Sequence, residues 1–165
     1  MMLFIDYFTP EERQGNLYIQ SIGSLKKSDI HYRVNNKDEF LGVINGRDLN
    51  GITHITILTH GVDKIDYICK DGQLINAISY LELVNSLNST INGRNIKLNL
   101  TGICESLKVI PFIQFLDERF AEIWISEVKT PYLLAPIQMV YQGFDYFIYD
   151  KDDEDIFFQN ISNTN

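Results

Sequence analysis

The run Ile52-Thr53-His54-Ile55-Thr56-Ile57-Leu58, which ends at Thr59-His60-Gly61, constrains this chain more than any other segment. It is dense in β-branched residues and holds no Asp, Glu, Lys or Arg. Such a segment reads as a strand buried on both faces, and strands of that kind sit in parallel sheets covered by helices on either side. Ile96-Lys97-Leu98-Asn99-Leu100-Thr101, leading into Gly102-Ile103-Cys104, and Glu122-Ile123-Trp124-Ile125-Ser126 supply two more strands. Leu17-Tyr18-Ile19-Gln20-Ser21-Ile22, closed by Gly23, is expected to be the first strand, and Ser28 to Arg33 is ambiguous.

Helical spacing fills the intervals. Asn35 or Asn36 is expected to cap a helix through Phe40, Leu41, Val43 and Ile44. Ser79, with Glu82 three residues on as in a capping box, opens another through Leu81, Leu83, Val84 and Leu87. A third helix is expected from near Glu105 to Phe120, with Val109, Phe112, Ile113 and Leu116 on one face and Pro111 in its early part. A fourth, rich in aromatics, is expected from Leu133 to about Ile148. Ile65 to Cys69 and Gln73 to Ile75 flank Lys70-Asp71-Gly72, a hairpin signal. The expected architecture is an α/β three-layer sandwich: a mainly parallel sheet with helices on both faces and a short β-hairpin.

The 165 residues, 45% hydrophobic and 22% charged, suffice for one domain with a real core. Its expected parts are an N-terminal extension over 1–15, a core over 16–149 and an acidic, polar tail over 150–165. A net charge of −8 repels phosphate backbones and anionic bilayers, and Lys26-Lys27 is the densest basic spot, so neither nucleic acid nor membrane is an expected partner. Two cysteines, Cys69 and Cys104, make neither a disulfide framework nor a CxxC zinc pair, and no metal or cofactor is expected. Residues 1–12 lack a basic n-region and meet Asp6 before an apolar core could form, unlike a signal peptide. No apolar stretch nears the roughly 20 residues needed to cross a bilayer, which makes a reducing cytoplasm with free thiols the expected setting.

Functional groups of open α/β sheets gather at the carboxyl ends of the strands. His60 ends one buried strand and Cys104 follows the next major one. If these strands are neighbours, about 4.8 Å apart, the two side chains project from one edge within mutual reach. A thiolate is the effective nucleophile, and a nearby imidazole takes its proton or stabilises its charge. A helix starting near Glu105 would aim its positive end at Cys104, and the amides of Gly61 and Cys104 are natural donors to a tetrahedral oxyanion.

The blocks Ile55-Thr56-Ile57-Leu58-Thr59-His60-Gly61 and Ile96-Lys97-Leu98-Asn99-Leu100-Thr101-Gly102-Ile103-Cys104 resemble the paired His-Gly and Cys blocks of caspase-like (clan CD) cysteine peptidases, nearest to compact CHAT-type domains. The likeness covers about Asn16 to Tyr149 and includes the hairpin and helix between the blocks, the strand Ile123 to Ser126, and an aromatic helix from Ala135 to Tyr149. It implies peptide-bond hydrolysis through a thioester, with His60 as general base or acid, Cys104 as nucleophile, and the Gly61 and Cys104 amides at the oxyanion. It implies a regulated effector acting on a protein or peptide substrate under a regulatory protein or activating ligand. Glu127 and Lys129, just past the strand at Ser126, would line the pocket for the substrate side chain.

A catalytically silent module of the same fold, binding a protein or a small signalling ligand, is the alternative. Ile103, where the family has a small residue, and the acidic Glu105 favour it. A nucleotide-binding or flavodoxin-like domain ranks lower, because Ile22 to Ser28 carries one Gly and matches neither phosphate-loop pattern. Cys69 reads as structural, and His54 as structural or surface. His31 is a weak candidate for substrate contact, and the acidic residues from Asp150 to Asp155 lack the spacing of a calcium loop.

Overall fold

The computed structural model describes residues 1–45, 49–62, 67–90, 96–103, 106–113, 120–125, 145–150 and 155–160. Its first half runs β1 (Met2–Tyr7), a 3-10 turn (Glu12–Gln14), α1 (Asn16–Gly23), β2 (Ile30–Val34), α2 (Lys37–Ile44) and β3 (His54–Gly61). Next come β4 (Tyr67–Cys69), a 3-10 turn (Leu74–Asn76), β5 (Ile78–Ser79), α3 (Tyr80–Thr90) and β6 (Ile96–Ile103). A 3-10 turn (Ser106–Val109) then runs into α4 (Ile110–Ile113), followed by β7 (Phe120–Ile125), β8 (Asp145–Asp150) and β9 (Asp155–Asn160).

The main sheet has the order β2-β1-β3-β6-β7-β8-β9. Pairing is parallel from β2 across to β7 and antiparallel for β8 and β9. This is the mainly parallel α/β sheet expected from the buried runs. One of its interior strands, however, comes from a segment read above as an extension. Met2–Tyr7 is buried throughout and lies between β2 and β3, with Leu3 opposite Ile30 on one side and Ile55 on the other. Leu17 to Ile22 is a helix instead. The spacing of Tyr18, Ser21, Ile22 and Leu25 puts them on one helical stripe: Tyr18 and Ser21 are buried and Ile22 and Leu25 pack on the core, whereas Ile19 is 57% exposed. A mixed run of this kind follows whichever periodicity the core rewards, and the mostly apolar run at Met2 takes the slot between β2 and β3.

Alternation along the strands separates two cores. Leu3, Ile5, Tyr7, Ile55 and Ile57 face the larger, which α2 closes with Phe40, Val43 and Ile44 and α3 with Leu83, Val84 and Leu87. Met2, Phe4, Phe8 and Leu58 face the smaller, under Tyr18 and Ile22 of α1. Both expected N-caps form. Asn36 accepts the Glu39 amide at 2.9 Å, and Ser79 and Glu82 exchange hydrogen bonds at 3.0 Å in a full capping box.

The hairpin differs in its second arm. Gly72 takes the left-handed φ of 76° that a side chain would resist, but Leu74–Asn76 coils into a 3-10 turn and β5 pairs with β4 through Ile78 and Ser79. Pro111 lies in the first turn of α4, where its missing amide costs nothing. The part of the expected helix over 114–119 lies outside the described residues. The expected aromatic helix fails at its end. Asp145–Asp150 is a strand, with Ile123 opposite Tyr149, and Asp155–Asn160 of the supposed tail pairs with it. Aromatic and β-branched residues in succession favour the pleated state once an open sheet edge offers a partner. Among the described residues no helix is long and apolar enough to cross a membrane.

Candidate functional site

In a sheet of this order the direction of winding reverses at β1, so β1 and β3 flank the switch point whose carboxyl edge is the expected ligand crevice. A polar cluster occupies that edge. Asp6, fully buried near the end of β1, accepts Arg13 Nε at 2.7 Å on one oxygen. Its other oxygen accepts the Tyr18 hydroxyl at 2.8 Å and meets Nε2 of His31 from β2. Arg13 also donates at 2.7 Å each to the Val34 carbonyl and to Asn35 Oδ1, tying the turn after β1 to the end of β2. Burial first, and then Asp6, push the Tyr18 phenol up to about 12, against the opposing charge of Arg33.

His60 stands beside this cluster at the end of β3, with its side chain 49% exposed. Its Nε2 lies 2.6 Å from Glu12 Oε1, and its ring meets Phe8 edge-on, centroids 5.2 Å apart. Glu12 is itself held. Its Oε2 accepts the Thr9 amide at 3.1 Å, and Thr9 Oγ1 accepts the Glu12 amide at 3.3 Å. Gly61 is the last residue of β3 and lies opposite Ile68 of β4, as His60 lies opposite Cys69.

The neighbouring strand is β6, and its register carries an irregularity. Thr56 faces Asn99 but Leu58 faces Gly102, so β6 holds one residue more over this span. Asn99 stabilises the bulge: its Oδ1 accepts the Thr101 amide at 3.1 Å and the Thr101 hydroxyl at 2.5 Å. An unbroken register would set Ile103 against His60; the bulge sets it against Thr59. The side chain of Ile103 is buried in the α2 and α3 core, on the face opposite to Leu58 and Phe8.

Cys104, Glu105, Glu127 and Lys129 lie outside the described residues. Cys69 is buried, with Sγ 3.3 Å from the Gln73 carbonyl and 3.5 Å from Asp71 Oδ1, a structural setting. His31 belongs to the Asp6 cluster. His54 sits at the opposite edge of the sheet, against Trp124, centroids 5.6 Å apart; burial and then the Lys97 ammonium lower its pKa. A cavity of about 280 Å³ beside His54, lined also by Met2, Asp29 and Thr53, is likewise at that far edge. Among the described residues no group of three His, Cys, Asp or Glu could hold a metal ion.

Glu12, Thr9, Phe8 and Asp6 were not singled out from the sequence, because residues 1–15 read as an extension. A signal was present, since Thr9-Pro10-Glu11-Glu12 has the spacing of a capping box. Comparison of the chain with models of known families, with curated proteins and with solved structures finds no match in any of the three.

Proposed function

We propose that this chain is a cysteine peptidase of the caspase-like type, with His60 as general base and Cys104 as nucleophile. The observation that carries the reading is the parallel pairing of β3 with β6 beyond the bulge. Leu58 faces Gly102 and Thr59 faces Ile103, and the next residue of each chain is His60 and Cys104. The inward burial of Ile103 supports the hydrolase over the silent module, because the bulk of that side chain is spent in the core and not on the His60 face.

The chemistry follows in two halves. The imidazole takes the Cys104 proton, and the sulfur attacks the scissile carbonyl carbon. The C–N bond breaks as the imidazolium returns the proton to the leaving amine, which leaves a thioester. Water, deprotonated by His60, then attacks the thioester; the C–S bond breaks and the thiol re-forms as the acid product departs. The Gly61 and Cys104 amides would serve the oxyanion in both steps.

A nucleotide ligand at the same switch point fits poorly. The turn after β1 reads Thr9-Pro10-Glu11-Glu12, which offers carboxylates where a phosphate would need donors. The deciding experiment is alkylation of Cys104 by iodoacetamide against pH, in a Cys69→Ser background, with and without His60→Ala. A coupled nucleophile gives a midpoint well below about 8.5 that rises when His60 is lost. A midpoint at or above that value and indifferent to His60 overturns the peptidase in favour of the binding module. A cleavage activity that survives Cys104→Ala overturns the assignment of Cys104 as the nucleophile.

A further inference from the structure

We propose that Glu12 is the positioning residue of His60. It holds Nε2 as a hydrogen-bond donor and leaves Nδ1 as the nitrogen that accepts a proton. The inference deepens the peptidase reading and rests on it for the identity of the proton donor, but not for the geometry of the imidazole.

A carboxylate only accepts hydrogen bonds. With Glu12 Oε1 at 2.6 Å, a neutral His60 ring carries its hydrogen on Nε2 and its lone pair on Nδ1. Exposed ion pairs are usually worth little because two mobile side chains must be ordered together. Here much of that ordering is already done. The Thr9 amide fixes the other carboxylate oxygen, and Thr9 Oγ1 fixes the Glu12 backbone in return. Pro10, directly after Thr9, restricts the turn further. Phe8 meets the imidazole edge-on and restrains the plane of the ring. The ring is therefore held at one nitrogen by Glu12 and along one side by Phe8, and among the described residues the unclaimed nitrogen is Nδ1. The same carboxylate would stabilise the imidazolium formed once Nδ1 has taken a proton, the part played by the third group of a nucleophile–base–orienter chain.

The test compares Glu12→Ala and Glu12→Gln in the His60 and His60→Ala backgrounds, all with Cys69→Ser. One readout is the Cys104 alkylation rate near neutral pH; the other is the His60 ring N–H proton resonance. Glu12→Ala should slow alkylation about tenfold or more and abolish the downfield, hydrogen-bonded N–H signal. Glu12→Gln still accepts from Nε2 and should keep the signal while losing part of the rate. In the His60→Ala background neither substitution should change the rate, because the carboxylate acts only through the ring. An equal loss in both backgrounds, or a ring N–H signal unchanged by Glu12→Ala, overturns the proposal. If alkylation ignores His60 altogether, the peptidase reading falls; loss of the ring signal in Glu12→Ala alone then still upholds Glu12 as the residue that orients His60.

Discussion

Asp6→Asn tests the polar cluster at the switch point most directly. The carboxylate is wholly buried, yet it meets the Arg13 guanidinium, the Tyr18 hydroxyl and the His31 ring. Asparagine keeps the shape, removes the charge and turns an NH2 group toward groups that donate. Hydrogen bonds to a charged group contribute roughly 1.5–3 kcal/mol each, and stranding a buried charge by removing its partner costs about 3–5 kcal/mol. The amide oxygen keeps one partner, so about two of the three bonds are lost, roughly 3–6 kcal/mol; this overlaps the second route at about 3–5 kcal/mol, a large share of the 5–15 kcal/mol typical of a domain. In urea titrations followed by Trp124 fluorescence, with a slope of about 2 kcal/mol/M, the midpoint should fall by roughly 2 M. Adding Arg13→Met, which removes the stranded cation, should recover more than about 1 kcal/mol of the loss. A midpoint shift under about 0.5 M at unchanged slope would refute the reasoning, and would mean that water satisfies Arg13 and His31 as well as Asp6 does.

Ser79→Ala should destabilise by about 1 kcal/mol, read from the same urea midpoint, because it opens the capping box at α3. Asn99→Ala should cost about 1–3 kcal/mol and also reduce the dependence of Cys104 alkylation on His60, since it removes the acceptor that holds the β6 bulge. His54 is held below its ordinary value of 6.5 by burial and by Lys97. The unfolded chain therefore binds the proton more readily, and the contribution of this site to stability is complete above about pH 6.5 and declines as the pH falls below it. His54→Gln should flatten that part of the stability–pH curve, measured as thermal midpoints from pH 7.5 down to pH 5.

The strands legible in the sequence were those whose burial is written in their composition. Ile52 to Leu58 and Ile96 to Thr101 could be little else, and their adjacency, a condition of the sequence reading, is met by the pairing of β3 with β6. Met2–Tyr7 was equally apolar, but Asp6 broke the run and suggested solvent. Its carboxylate is instead paired inside the protein, a long-range arrangement that local pattern does not encode. Leu17 to Ile22 carried both periodicities, and only the position of the sheet beneath it selects the helix. The Tyr146 to Tyr149 run became a strand because β7 presents an edge, a fact about a neighbour and not about the run itself. His60 was visible at its strand end, whereas Glu12 became visible only once the turn after β1 had been placed over β3.

β2 reaches the sheet only through β1 among the described strands. The two strands should therefore exchange their amide hydrogens very differently. β1, bonded on both sides, should give up its amides more slowly than β2, and those facing β3 only when the sheet itself parts. The amides of β2 that point away from β1 have no described strand beyond them, and should take up deuterium sooner than those of β1. Arg13, clamped on the Val34 carbonyl, guards the end of β2 where such opening would start to peel it away. The slowest deuterium uptake in the molecule should then include Met2–Tyr7, with the residues just after them holding the clamp.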